Sequence, residues 1–330
     1  MDTLAGIDTA TLAATLMTGD RQAVAQSLNL LDDQRPEARH LAATLLDKIS
    51  ALKAGCQSHL VGITGPPGVG KSSLTAALIS VWRQRGKRVG VLAVDPSSPV
   101  SGGALLGDRL RMKTSSEDDG VFVRSLSSRG DFGGLSPQVW PMSLAMLAAF
   151  DIVVVETVGV GQREIDVAQT CDTTCFIAQP GSGDSVQFLK AGILEIPDLL
   201  VVNKEDMGDV ARRTLNELRT TLGNSQRSDD WRVPVLATSA THNIGITELA
   251  DALAAHRHTI EPDLQQRRSA NQAQWVAKRI IHAFGQSGLD KLGGADALQQ
   301  RLVNGTDNPF TLYDALHDTL TSTLSGNNQT

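Results

Sequence analysis

The feature that most constrains this chain is the run Gly65-Pro66-Pro67-Gly68-Val69-Gly70-Lys71-Ser72, which fits G-x4-G-K-[ST]. It lies between a β-rich run at 61–64 and a stretch with helical spacing, Leu74, Ala77, Leu78 and Val81, that stops near Gly86. Strand, glycine-rich turn and helix in that order form a phosphate-binding unit, because glycines let backbone N–H groups turn inward and the helix presents its positive end. Further β-rich runs at 89–94, 121–126, 152–156, 173–178, 199–202 and 233–237 alternate with helix-period stretches such as Val210, Leu215, Leu218 and Leu222. The alternation predicts an α/β fold with a mostly parallel sheet covered by helices.

The ends of the chain read differently. Residues 1–58 predict helices, with Asp8 as an N-cap before Leu12, Leu16 and Met17 and Gly19 as a stop. After residue 261 helical stripes return, Val276, Ile280 and Phe284 in one, Leu312, Ala315, Leu316 and Leu320 in another. The expected organisation is an N-terminal helical segment 1–58, a nucleotide-binding domain 59–260 and a C-terminal helical segment 261–330. Residues 224–230 are expected as a surface loop, and 326–330 are expected to fray.

Thirty Lys plus Arg against 36 Asp plus Glu give a net charge of -6, which argues against a general polyanion binder and against nucleic acid as main partner. With 41% hydrophobic and 20% charged residues, wholesale disorder and a membrane channel are both excluded. Asp151 interrupts the best apolar stretch before it reaches the roughly 20 residues of a membrane helix. Met1-Asp2-Thr3-Leu4 carries no basic leader, and Cys56, Cys171 and Cys175 cannot all pair, so the expected home is a reducing cytoplasm with the C-x-x-x-C pair as buried structure.

The chemistry of the glycine-rich turn assigns nucleotide binding to Gly65, Pro66, Pro67, Gly68, Val69, Gly70, Lys71, Ser72 and Ser73, with Lys71 reaching the β- and γ-phosphates and Ser72 offering a hydroxyl to Mg²⁺. Asn203-Lys204-Glu205-Asp206 follows the run 199–202 and fits N-K-x-D, the guanine-reading element of GTPases. The Asp206 carboxylate can accept from guanine N1–H and its exocyclic amine, which adenine cannot match. The Lys204 stem can lie along the base, and Asn203 can tie this loop to the phosphate loop. Thr238-Ser239-Ala240 follows the next run, where a backbone N–H, from Ser239 or Ala240, would meet guanine O6. The order of these elements favours GTP over ATP.

Glu156-Thr157-Val158-Gly159 ends the run 152–156 as a D-x-x-G-like element with Glu in place of Asp. A carboxylate there can hold a water on Mg²⁺, and the Gly159 N–H can meet the γ-phosphate. Val160 stands where Ras-type GTPases carry the water-orienting glutamine, so Asp95 and Asp108 become candidates for that task and slow intrinsic turnover is expected.

G-P-P-G-V-G-K-S-S, L-A-V-D-P-S-S at 92–98, S-G-G-A-L-L-G-D-R at 101–109, V-E-T-V-G-V-G-Q at 155–162 and N-P-F-T-L-Y-D-A-L at 308–316 together closely resemble the methylmalonyl-CoA mutase-associated GTPases of the MeaB/ArgK type, once described as arginine/ornithine transport kinases. The resemblance implies a P-loop GTPase with N- and C-terminal helical extensions. It implies a metallochaperone-like G protein that binds an adenosylcobalamin-dependent acyl-CoA mutase, gates cofactor loading, ejects damaged cofactor and protects the mutase. It also implies a homodimer formed through the C-terminal helices. Carried over by motif, Lys71 and Ser72 serve phosphate and Mg²⁺, Asp95 and Glu156 belong to the Mg²⁺ neighbourhood, and Asp108 lies on a segment linked to hydrolysis.

Two departures concern partner choice. Arg163-Glu164 follows V-G-Q where the family has a small residue before Glu, and Gly183-Asp184-Ser185-Val186-Gln187-Phe188-Leu189-Lys190-Ala191-Gly192 loses an acid, a glycine and a basic residue of the family pattern. Mutases for 2-hydroxyisobutyryl-, isobutyryl- or ethylmalonyl-CoA therefore stay open beside methylmalonyl-CoA mutase. Three other readings are a P-loop small-molecule kinase, which N-K-x-D opposes, a metal-inserting GTPase, which the dispersed histidines oppose, and a scaffold with an inactive nucleotide site. His256-x-His258 is expected on a solvated helix face.

Overall fold

The computed structural model describes residues 4, 6–52, 57–95, 118–127, 135–157, 163–181, 197–222, 231–304 and 308–326. The chain divides into two compact units, one of Met1–Gly55, Trp140–Ala145 and Pro262–Thr330, the other of Cys56–Val139 and Met146–Glu261.

The first unit begins with helices α1 (Thr9–Met17), α2 (Arg21–Asp32) and α3 (Pro36–Leu52). Asp8 caps α1 by accepting from Ala10 N at 3.0 Å, and Gly19, at φ 81°, ends it with its N–H on Leu16 O. Both assignments match the sequence reading.

The second unit holds the sheet: β1 (His59–Thr64), α4 (Lys71–Gln84), β2 (Val89–Asp95), β3 (Val121–Ser127), α5 (Val139–Ala149, shared between the units), β4 (Ile152–Thr157), α6 (Arg163–Ala168), β5 (Thr173–Ala178), β6 (Leu199–Val202), α7 (Asp209–Leu222), β7 (Val235–Ala237) and α8 (Ile246–Thr259). Among the described residues seven strands form one sheet in the order β3-β2-β4-β1-β5-β6-β7, every pairing parallel. Such strands are buried on both faces, which is why they read as continuous Val, Ile and Leu runs. Val61, Ile63, Val91, Val154, Ile177 and Val201 pack against Leu74 and Leu78 of α4 and Leu249 and Leu253 of α8. Phe176, Leu200 and Val202 point the other way, onto Ala211 and Leu218 of α7. At Gly62 a Cβ would lie 2.2 Å from Val167 Cγ1, so α6 approaches β1 as closely as a glycine permits.

Three details correct the sequence reading. The run 233–237 yields a strand only from Val235, since Pro234 has no N–H and contributes only its carbonyl, to Leu200 N at 3.0 Å. Val210, placed on the packing stripe of α7, is 40% exposed, while Leu218 carries the burial. His256 is fully buried, not solvated: its Nδ1 lies 2.7 Å from Thr173 Oγ1, whose other neighbour is His59 Nε2 at 2.7 Å, and its Nε2 lies 3.3 Å from Asp198 Oδ1. Of the two histidines only His258 is exposed. Cys171 and Cys175 are buried as expected, and burial pushes both thiols up. Cys56 and residues 224–230 lie outside the described residues.

The chain returns to the helical unit with α9 (Leu264–Lys291), α10 (Gly294–Asn304) and α11 (Pro309–Gly326). Gly285, at φ 69° and ψ -178°, breaks α9 in two. Asn308 caps α11 by accepting from Phe310 N and Thr311 N, and its amide donates to Ala43 O and Asp47 Oδ1 of α3. Arg39 of α3 also pairs with Asp314 of α11, so helices from both ends of the chain share one core. Val276 and Ile280 are fully buried, whereas Ala315, expected on the second stripe, faces out. Among the described residues no helix is long and apolar enough to cross a membrane.

Candidate functional site

The carboxyl ends of β1, β4, β6 and β7 converge on one edge of the sheet, the edge where ligands of open α/β sheets sit. Because β1 lies between β4 and β5, the loop that leaves it at Gly65 is central. Gly65 (φ 144°) passes so near β5 that a Cβ would lie 2.2 Å from Ile177 O, and Gly70 (φ 93°) opens α4 with room for a Cβ only 2.6 Å from Asn203 Nδ2. Gly68 (φ 78°) needs glycine for its backbone conformation alone. Lys71 is buried in the first turn of α4, and its Nζ donates to Gly65 O at 2.8 Å and Pro66 O at 2.9 Å. The ammonium is therefore held inside the loop that the N-terminal end of α4 faces, where phosphate oxygens would gather.

Glu156, near the end of β4, is buried beside this loop. Ser72 Oγ donates to its Oε1 at 2.5 Å, and Thr75 Oγ1 lies 2.8 Å from its Oε2 and 3.0 Å from Lys71 O. Hydrolysis on such a loop implies Mg²⁺, and the donors fit it: a hydroxyl and a carboxylate, both hard oxygen ligands, already meet at the start of α4. Thr75 was not singled out from the sequence. Its spacing of three from Ser72, on the same helical face, was the available signal. The backbone of Asp95 ends β2, next to β4 in the sheet, which keeps it on the same edge; its side chain, like Gly159, Asp108, Val160 and residues 183–192, lies outside what is described.

The base-reading elements assemble on the other side of β1. Asn203 is buried, donates from Nδ2 to Val69 O at 2.8 Å and accepts from Thr238 Oγ1 at 3.2 Å, so it ties the N-K-x-D loop to the phosphate loop as its position suggested. Lys204 takes a left-handed conformation (φ 61°) and donates from Nζ to Gly68 O at 2.8 Å. Asp206 Oδ1 accepts from Ser239 Oγ at 2.5 Å. That hydroxyl, with lesser help from the backbone and His242, holds the Asp206 carboxyl below the usual carboxylate range, so it is ionised and can accept from two donors. The Ser239 N–H is taken by Ile244 O and the Thr238 N–H by Val202 O; among the described residues the Ala240 N–H has no such partner, which makes it the donor suited to guanine O6. His242 stands 3.1 Å from Ser239 Oγ and 3.7 Å from Asp206 Oδ1, a neighbour the sequence reading did not name.

Residues 24–287 match a family model described as methylmalonyl-CoA mutase-associated GTPase MeaB. The chain belongs to the MeaB family. A protein of Pyrococcus abyssi is 39% identical over 308 residues, covering 90% of this chain and 92% of its own length. The GTPase ArgK of Escherichia coli is 36% identical over 305 residues, 86% of this chain and 90% of ArgK. A solved structure of a LAO/AO transport system kinase shares the fold at a TM-score of 0.66 and 28% identity, covering 95% of this chain and 97% of the other. The fold is that of a P-loop GTPase, and this MeaB-family chain binds guanine nucleotide and hydrolyses GTP.

Proposed function

We propose that this MeaB-family GTPase is the G-protein chaperone of an adenosylcobalamin-dependent acyl-CoA mutase, gating cofactor loading, removing damaged cofactor and protecting the mutase. The observation that carries the reading is the family match across residues 24–287, which takes in the phosphate loop, Glu156 and the base-reading loop together. Methylmalonyl-CoA mutase is the leading client. Arg163-Glu164 and the altered stretch 183–192 favour keeping 2-hydroxyisobutyryl-, isobutyryl- and ethylmalonyl-CoA mutases as second readings.

In this proposal Asp206 selects guanine, Lys71 neutralises charge developing on the β- and γ-phosphates, and Ser72, Glu156 and Asp95 hold Mg²⁺, which when bound supplies further charge neutralisation. Asp108 orients the attacking water, and Val160 leaves intrinsic turnover slow. A mutase that orders the segments after Glu156 and Gly181 supplies positioning, which carries most of the catalysis in phosphoryl transfer. Residues 261–330 serve as the dimerisation segment of a homodimer, beside an N-terminal helical segment 1–58 and a GTPase domain 59–260.

The test is calorimetry of the full chain with each candidate mutase, in the GDP state and with a non-hydrolysable GTP analogue. Binding to one mutase that depends on the nucleotide, with GTP turnover raised in the complex, is the expected result. No binding to any of them in either state would overturn the assignment of the client.

A further inference from the structure

Glu156 stands where the D-x-x-G element carries aspartate, so its carboxylate sits one methylene further from the strand. The sheet fixes its backbone, which is paired with Ile63 of β1 on one side and Ala93 of β2 on the other. The extra reach carries the buried side chain to α4, where Ser72 Oγ lies 2.5 Å from Oε1 and Thr75 Oγ1 lies 2.8 Å from Oε2. Thr75 is fully buried, and its Oγ1 also lies 3.0 Å from the Lys71 carbonyl one turn back, the contact that sets a threonine's rotamer in a helix. The two carboxylate oxygens are therefore unlike. Oε1 is beside the hydroxyl expected on Mg²⁺, and Oε2 is held further along α4, away from the phosphate loop. An ionised carboxylate accepts the Thr75 proton at Oε2; a protonated one donates from Oε2 to Thr75, which then donates to Lys71 O. Oε2 stays at Thr75 either way.

We propose that Thr75 is a positioning residue that makes the site choose Mg²⁺ over Ca²⁺, by keeping the Glu156 Oε2 away from the cation. Mg²⁺ demands near-ideal octahedral geometry, which leaves no room for the narrow bite of a carboxylate bound through both oxygens. Ca²⁺ is larger, tolerates irregular geometry and takes carboxylates in either mode. A carboxylate pinned at Oε2 offers one oxygen, which suits the first ion and withholds from the second a ligand it can use. Without the Thr75 hydroxyl, the carboxylate is free to turn about its last side-chain bond, a soft torsion, and to present both oxygens. Thr75 adds no ligand of its own. It acts through Glu156, with its own orientation set by the backbone of the residue that bears the phosphate-loop ammonium.

This role of Thr75 rests on the proposed Mg²⁺ role of Ser72 and Glu156 and is independent of the client mutase. The experiment follows release of fluorescently labelled GDP from the full chain over a series of Mg²⁺ or Ca²⁺ concentrations and takes the ratio of the two half-effective concentrations, with no turnover involved. Wild type is compared with Thr75→Val, and Thr75→Ser with Thr75→Ala, so that each pair differs at the hydroxyl alone. Wild type and Thr75→Ser are expected to favour Mg²⁺, and Thr75→Val and Thr75→Ala to lose that preference several-fold, through weaker retention of Mg²⁺ and stronger retention of Ca²⁺. Unfolding midpoints by circular dichroism check that each variant is folded. Alanine suits a helix interior, so the second pair decides should Thr75→Val not fold. A ratio that follows side-chain size, or one shared by all four proteins, would overturn the proposal, because a threonine that merely fills the core would not move cation choice through its hydroxyl. Release from wild type that neither ion slows would overturn the Mg²⁺ reading itself, and this role of Thr75 with it.

Discussion

Asp206 and Thr75 show how single side chains set this site. Replacing Asp206 by Asn exchanges one acceptor oxygen for a donor, which removes a bond to guanine and sets two donors against each other. Asp206→Asn should bind GDP more weakly and gain affinity for xanthosine diphosphate, read by competition binding. Thr75→Val keeps the shape of a fully buried side chain but removes the hydroxyl between Glu156 Oε2 and Lys71 O. The expected cost is about 1–3 kcal/mol in urea unfolding, and GDP release should become more sensitive to Mg²⁺ chelation, since Glu156 loses the hydroxyl bonded to its Oε2. Lys71→Ala should abolish hydrolysis, whereas Asp108→Ala should slow turnover more than it weakens GDP binding. A single-turnover assay with unchanged rates for Asp108→Ala would remove that residue from the mechanism.

Among elements, α1 offers the cleanest test of local physics. Its cap is one carboxylate, Asp8, accepting from Ala10 N and from the Thr11 hydroxyl at 2.5 Å, and the Thr11 bond, then the backbone N–H groups, hold its carboxyl below the usual range. A lowered folded-state value means the cap stabilises above the unfolded-state value, about 3.9 for Asp, and the effect is lost as pH falls through the lower folded one. Asp8→Ala should lower the thermal midpoint at neutral pH, as the loss of an N-cap does, and the difference should vanish in strong acid. Boundaries of other elements were legible for similar local reasons. Gly86 and Gly19 ended helices where glycine's left-handed freedom was available, and β5 and β6 began and ended where the apolar runs did. The break at Gly285 and the helix α10 were not legible, because a glycine inside a helical pattern is tolerated and only the backbone reveals whether it bends there.

For the whole molecule, nucleotide and mutase must be reciprocal if the proposed client is right. A mutase that binds the GTP state more tightly by some factor requires GTP to bind the complex more tightly by the same factor. The two ratios, measured separately by calorimetry and by nucleotide release, should agree. Unequal ratios would show that at least one state in the cycle has been misassigned. Phe188→Gly, which restores the family's glycine, should shift preference between mutases with GTP affinity unchanged.

The sequence alone determined the phosphate loop, the guanine motif and the order of strands and helices along the chain, because glycine spacing, a K-x-D triplet and apolar periodicity act over a few residues. It carried Glu156 as well, by its place at the end of a β-rich run. Only the tertiary structure decided that β1 sits between β4 and β5 and that Thr75 and Ser72 grip the two oxygens of Glu156, and it gave Asn203, expected from its motif to tie the two loops, the carbonyl of Val69 as partner. It also placed the helices of both chain ends in one unit, through Asn308 and Ala43, and buried His256 against Thr173 instead of leaving it in water. These side-chain pairings join residues 81 to 265 positions apart, and no local pattern encodes them. Distance along the chain is the physical reason: a hydroxyl finds its carboxylate only after the sheet has set which strands are neighbours.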